Sequence, residues 1–127
     1  MLINTPISLG ELVDKISILI IKQKNITDET KLDHVKKELD FLQKTLMNYI
    51  QQEEINNHLE NLININSKLW NIEDDIRECE RKKLFDQTFI DLARSVYFTN
   101  DERARVKNDI NKIFGSELVE VKSYEEY

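Results

Sequence analysis

Apolar residues recur along most of this chain at alternating steps of three and four, the spacing of one face of an α-helix. The longest such run is Ile55, Leu62, Ile65, Leu69, Ile72, Ile76 and Cys79, with His58 in one slot. It predicts a helix closed by Lys82 and Lys83, where cations suit the negative end of the helix dipole. A seven-residue repeat of this kind packs left-handed, at about +20° between helices. Leu59, Ile63 and Trp70 fall on an adjacent face. A Trp carries about 150–250 Å² of surface, so a second element should cover that face.

The same pattern places the other elements. Ser8-Leu9-Gly10-Glu11 reads as a capping box opening a helix that runs to about Lys24. Leu9, Leu12, Ile16 and Leu19 form its stripe, and Val13, Ile18, Ile20 and Ile21 widen it almost all round, so this helix is predicted to be central. Thr27 or Asp28 caps a second helix to about Ile50, with Leu32, Val35, Leu39, Leu42, Leu46 and Tyr49 on one face. The register slips between Tyr49 and Ile55 across a polar stretch, which predicts a turn there. Asp86 and Asn100 read as caps of two shorter helices, the last stopped by Gly115. Glu117 to Tyr124 alternates briefly and suits a strand paired with Leu2 to Asn4. The expected fold is therefore all-α. Three long antiparallel helices carry two shorter C-terminal ones, with a short pairing of the termini.

Length and composition bound the rest. A chain of 127 residues makes one domain, 1–127, large enough to bury a core without metals or disulfides. Two Gly and one Pro leave few sharp turns, which favours helices. A net charge of −6 argues against nucleic acid as a partner. There is no basic-then-apolar leader and no apolar run of about 18 residues or more, so a cytoplasmic protein without a membrane span is expected. The single Cys79 lies on an apolar stripe and reads as a small buried hydrophobe.

Candidate chemistry gathers around Trp70. Glu73, Arg77 and Arg81 project on its side of the helix, with Asp74 at the edge. Glu73 and Arg77 form either a solvated i,i+4 pair, worth roughly 0.2–0.5 kcal/mol, or one wall of a charged pocket. If the shorter helices cover Trp70, they bring Arg94, Tyr97, Asn100 and Arg103 to the same place, with Glu11 and Lys15 as outer members. Phosphate loops, zinc spacings and Cys/His pairs are absent. Two kinds of helical enzyme use carboxylates with arginines: nucleoside triphosphate hydrolases that hold magnesium on facing acids, and enzymes that clamp a dicarboxylate between arginines. Glu11-x-x-Asp14 is the nearest match to the first, and Arg77, Arg94 and Arg103 to the second. No cofactor is identified, and magnesium fits the acids only loosely.

Several runs carry a resemblance. Ile7-Ser8-Leu9-Gly10-Glu11-Leu12-Val13-Asp14-Lys15-Ile16, Leu69-Trp70-Asn71-Ile72-Glu73-Asp74-Asp75-Ile76-Arg77, Phe89 to Tyr97, Asn100 to Ala104, and Val121-Lys122-Ser123-Tyr124 resemble the motifs of a family of small uncharacterised bacterial and phage proteins. The resemblance covers nearly the whole chain and implies a shared fold without an assigned activity.

The leading expectation is a binding, accessory or protein-interaction module that forms a homodimer or meets a protein partner, because the stripes are long and no catalytic set is visible. The alternative is a small enzyme or binder acting on an anionic metabolite (nucleotide, nucleotide sugar or dicarboxylate) through the cluster of Glu73, Arg77, Arg94, Tyr97, Asn100 and Arg103. A partner-helix docking protein would instead need an exposed apolar groove.

Overall fold

The computed structural model describes residues 1–127 as four α-helices and no strand: α1 (Leu9–Asn25), α2 (Glu29–Met47), α3 (Gln52–Lys82) and α4 (Gln87–Ile113). Two expectations are overturned. The C-terminal pair of short helices is one helix of 27 residues, and the termini do not pair.

The first correction has a local cause. Asn100-Asp101 has the composition of a helix start, but no Gly or Pro interrupts the chain between Asp86 and Phe114. Asn inside a helix costs at most about 0.7 kcal/mol relative to Ala, and packing around Thr99, Asn100 and Arg103 outweighs that. Asp86 does cap α4, its carboxylate accepting from the Phe89 N–H at 3.2 Å. Gly115, at φ 68, ends it. The second correction follows from charge. Two lone strands are marginal, and the tail is drawn back along α4 instead, Glu120 reaching Lys107 at 2.9 Å and Lys122 approaching Asp101 at 3.9 Å.

α1 packs against α2, α3 and α4, and α3 packs against α4. Its broad apolar surface explains that place: only Lys15 and the last residues from Gln23 on are exposed. The core joins Leu12, Val13, Ile16 and Leu19 of α1 to Val35, Leu39 and Leu46 of α2, Ile55 and Leu62 of α3, and Ile110 of α4. α2 lies along α1, and only Val35, Leu39 and Leu46 of it are buried. α1, α3 and α4 form the compact part. No helix is long and apolar enough to cross a membrane.

Beyond the end of α1, α3 and α4 continue as a two-helix arm. Lys83 turns its tip in the left-handed conformation at φ 54, letting the Leu84 N–H reach back to the Cys79 carbonyl at 2.9 Å.

Candidate functional site

Lys15 of α1 points to solvent, but the sides of α1 that meet α3 and α4 bury polar residues too. α1 carries two such residues at its centre: Asp14 and Ser17 have no exposed surface. A buried carboxylate needs charge and hydrogen bonds around it, and α3 and α4 provide both. Arg103 grips Asp14 with two N–H groups, Nε donating to Oδ1 at 2.9 Å and Nη2 to Oδ2. Asn66 donates from Nδ2 to Asp14 Oδ1 at 2.9 Å and to Ser17 Oγ at 2.7 Å. The Ser17 hydroxyl in turn donates to the Asp14 carbonyl at 2.6 Å. Two hydrogen bonds to one buried carboxylate, itself held by Asn66, fix the orientation of Arg103.

The seam continues toward the start of α1. Lys107 is buried, yet its Nζ lies 2.8 Å from Glu11, 2.9 Å from Glu120 and 4.0 Å from Asp14. Burial works to lower its pKa, but hydrogen bonds to Glu11 and Glu120 outweigh that and hold it above the ordinary lysine value. Arg103 is raised likewise, chiefly by its hydrogen bonds to Asp14. One turn further, the Asn111 oxygen accepts from the Gly10 N–H at 2.7 Å. The Asn111 amide nitrogen is left without a partner. The start of α1 thus has two caps. Ser8 Oγ takes the Glu11 N–H at 3.1 Å, and Asn111 of α4 takes the Gly10 N–H. The Glu11 side chain does not close the capping box; it turns to Lys107.

Glu120 belongs to the tail, so the seam also fastens the C-terminus. Glu120→Gln should lower the unfolding free energy by about 1 kcal/mol, because Lys107 keeps Glu11 but loses a second charged acceptor. Urea denaturation would measure it. Unchanged stability would mean that the tail adds nothing to the seam.

Above the seam, α1, α3 and α4 leave a cleft of about 410 Å³. Ile18, Ile21, Leu69 and Trp70 form its apolar wall. Asn66, Asn100 and Arg103 lie at its polar side, with Lys22, Glu73, Asp74 and Arg77 completing it. Arg77 meets Glu73 at 3.3 Å across one helical turn; the Arg77 side chain is largely exposed and that of Glu73 is half-buried. That contact is the solvated pair of the simpler reading, and it stands at the edge of a cleft.

The eight residues singled out in the sequence divide unevenly. Glu73, Arg77, Asn100 and Arg103 share the cleft. Glu11 lies in the adjoining seam on Lys107. Lys15 is exposed on α1. Arg94 is exposed with its guanidinium 5.8 Å from the Phe98 ring, and Tyr97 turns toward the tail, 5.2 Å from the Tyr127 ring. Asn66, Lys107 and Asn111 carry no signal of their own in the sequence, and Asp14 enters there only as half of the Glu11-x-x-Asp14 pair. The acids of the Glu11-x-x-Asp14 pair are engaged by Lys107 and Arg103, and no three His, Cys, Asp or Glu side chains gather anywhere as metal donors.

A larger hollow, about 610 Å³, opens where the tail folds back beside Tyr97, Asp101, Arg105 and Tyr127. Tyr97, Arg105, Tyr124 and Tyr127 are exposed, and no buried residue lines it. The smaller cleft, resting on a fixed polar floor, is the stronger candidate.

These features define a class: a small all-α protein whose central helix is tied to its neighbours by a buried charged seam with a cleft beside it. The chain belongs to the family described as "Family of unknown function (DUF6165)", whose model matches residues 3–127. No curated protein and no solved structure matches it.

Proposed function

We propose that this protein is a binding module and that the cleft beside Trp70 is its ligand site. The observation that carries this is Arg103. Asp14 fixes two of its N–H groups from below, while the residue also lines the cleft. A guanidinium pre-oriented in this way loses little freedom on meeting a carboxylate or phosphate. Lys22 supports it as a cleft cation without an ion pair in the chain. Trp70, Leu69, Ile18 and Ile21 offer surface to a flat or apolar part, and the amides of Asn66 and Asn100 suit hydroxyls. A small molecule bearing one anionic group beside a planar or apolar portion fits this chemistry and this volume. No nucleophile–base pair stands in the cleft, so the reading is binding rather than turnover.

A thermal-shift panel tests it, with nucleotides, nucleotide sugars and dicarboxylates at millimolar concentration, each with and without magnesium. A ligand at 100 times its Kd adds about 2.7 kcal/mol, which raises the Tm of a chain this size by roughly 10 °C. The shift should shrink in Lys22→Ala, a rim position outside the seam. If none of these compounds moves the Tm, or if Lys22→Ala leaves the shift intact, the assignment of the cleft fails.

A further inference from the structure

The last residues of the chain are fastened to α4 by side chains alone. Beyond Ser116 the tail makes no backbone–backbone hydrogen bond. Its apolar residues do not dock either, since Leu118, Val119 and Val121 are exposed. Its anchors are polar and aromatic. Glu120 lies 2.9 Å from Lys107, and Lys122 lies 3.9 Å from Asp101. The Tyr127 hydroxyl donates to Asp101, and its ring rests against Tyr97 and Phe98. These anchors fall on either side of one turn of α4. Asp101 stands two residues before Arg103, and Lys107 stands one turn after it. The tail therefore spans the turn that carries Arg103.

The Glu120 anchor touches the chemistry under the cleft. Lys107 Nζ has three carboxylates around it: Glu11 at 2.8 Å, Glu120 at 2.9 Å and Asp14 at 4.0 Å. The lysine is buried, so water is a poor substitute for a lost partner. With Glu120 in place, two close carboxylates hold the ammonium, and Asp14 is left to Arg103. Without Glu120, the next carboxylate oxygen within reach is Asp14 Oδ2. That atom is the one that accepts from Arg103 Nη2. An ammonium drawn to it competes with the guanidinium for a single negative charge. Of the two cations, Arg103 is the one with room to yield, because it is partly exposed on the cleft.

We propose that the tail is a strap that sets the state of the cleft. Docked through Glu120, it keeps Lys107 off Asp14 and Arg103 fixed; released, it lets Lys107 share Asp14 and Arg103 loosen. The proposal rests on the reading of the cleft as a ligand site. Glu120 is then a positioning residue of that site, acting through Lys107 from outside the cleft. A segment held by so few contacts opens at far less cost than the whole domain, so the strap releases without unfolding the helices. Release weakens the hold on an anionic group while every residue lining the cleft stays the same.

The test reads Arg103 directly and needs no ligand. The Arg103 Nε–H donates to a buried carboxylate, so NMR of the isotope-labelled full chain should show it exchanging slowly with water. Glu120→Gln should speed that exchange about tenfold relative to the backbone amides of Val13 and Ile16, which report overall stability. Lys107→Met/Glu120→Gln should bring the protection back, because no ammonium is left to compete for Asp14. The strap is refuted if Glu120→Gln leaves Arg103 as protected as in the wild type, or speeds it only as much as the amides. A double variant that exchanges as fast as Glu120→Gln alone refutes it too. The thermal-shift panel judges the cleft separately: a ligand-induced shift beside an unresponsive Arg103 would keep the cleft and remove the strap.

Discussion

Asp14→Ala should destabilise the protein by about 3–5 kcal/mol, the usual cost of removing one member of a buried ion pair. The carboxylate has no exposed surface, and its loss strands several groups at once. Arg103 loses both of its hydrogen bonds, Lys107 loses the nearby charge at 4.0 Å, and Asn66 keeps only Ser17. Against a total stability of about 5–15 kcal/mol for a domain, this change alone would leave a large unfolded fraction. Urea denaturation followed by circular dichroism measures it. Asp14→Asn should be nearly as harmful, since an amide preserves the shape but leaves the guanidinium without its counter-charge. The double variant Asp14→Leu/Arg103→Leu should recover much of the loss, because a matched apolar pair removes both desolvation costs. A cost below about 1 kcal/mol for Asp14→Ala would show that the seam does not hold α1 against α4.

The double variant also separates stability from binding. If it folds as well as the wild type and the cleft is the ligand site, it should show no ligand-induced Tm shift, because the fixed guanidinium is gone. The seam then has two roles that one residue joins. Asp14 neutralises a charge inside the protein, and it orients the same charge toward the cleft. Replacing a buried ion pair by apolar groups is commonly neutral for folding, so stability alone gives little reason for a pair at this position.

The sequence made α1 legible because apolar residues take up most of its surface, but that signal says little about Asp14. Asp14 and Lys15 are adjacent charges in the run, one buried and one exposed, and in the sequence Asp14 stands out only as half of the Glu11-x-x-Asp14 pair. Its partners were harder to see. Arg103, Lys107 and Asn111 are spaced by four and so share one face of α4. That face dissolves if the helix is broken at Asn100, because Asn-Asp has the same composition at a true cap and in mid-helix. Periodicity identifies faces but does not say which face meets which. Glu73, Arg77, Asn100 and Arg103 come together because α3 and α4 both reach α1 there. Arg94 and Tyr97 do not: Arg94 is exposed beside Phe98, and Tyr97 is on the side of α4 that meets Tyr127 of the tail.

Gly10→Ala should destabilise the protein by about 3 kcal/mol, although helix propensity alone favours Ala over Gly by about 1 kcal/mol. A β-carbon at this position would lie 2.4 Å from the backbone oxygen of Lys107 and 2.9 Å from the Asn111 side-chain oxygen. Ordinary C···O contacts stand at about 3.3 Å or more. The first obstacle is backbone, so α1 and α4 would have to part by nearly 1 Å. Overpacking costs about 1–3 kcal/mol by itself. Here the displacement also loosens the Gly10–Asn111 bond and the Glu11–Lys107 pair, which span the same interface. Gly115 supplies the contrast. Its φ of 68 favours glycine, but a β-carbon there meets nothing within 4 Å. Gly115→Ala should therefore cost only the conformational penalty, about 1–2 kcal/mol. Measured side by side in urea, Gly10→Ala should be the more damaging change. Were it instead to stabilise the protein, as propensity alone predicts, α1 and α4 would not approach as closely as the seam requires, and the fixed position of Arg103 beneath the cleft would lose its support.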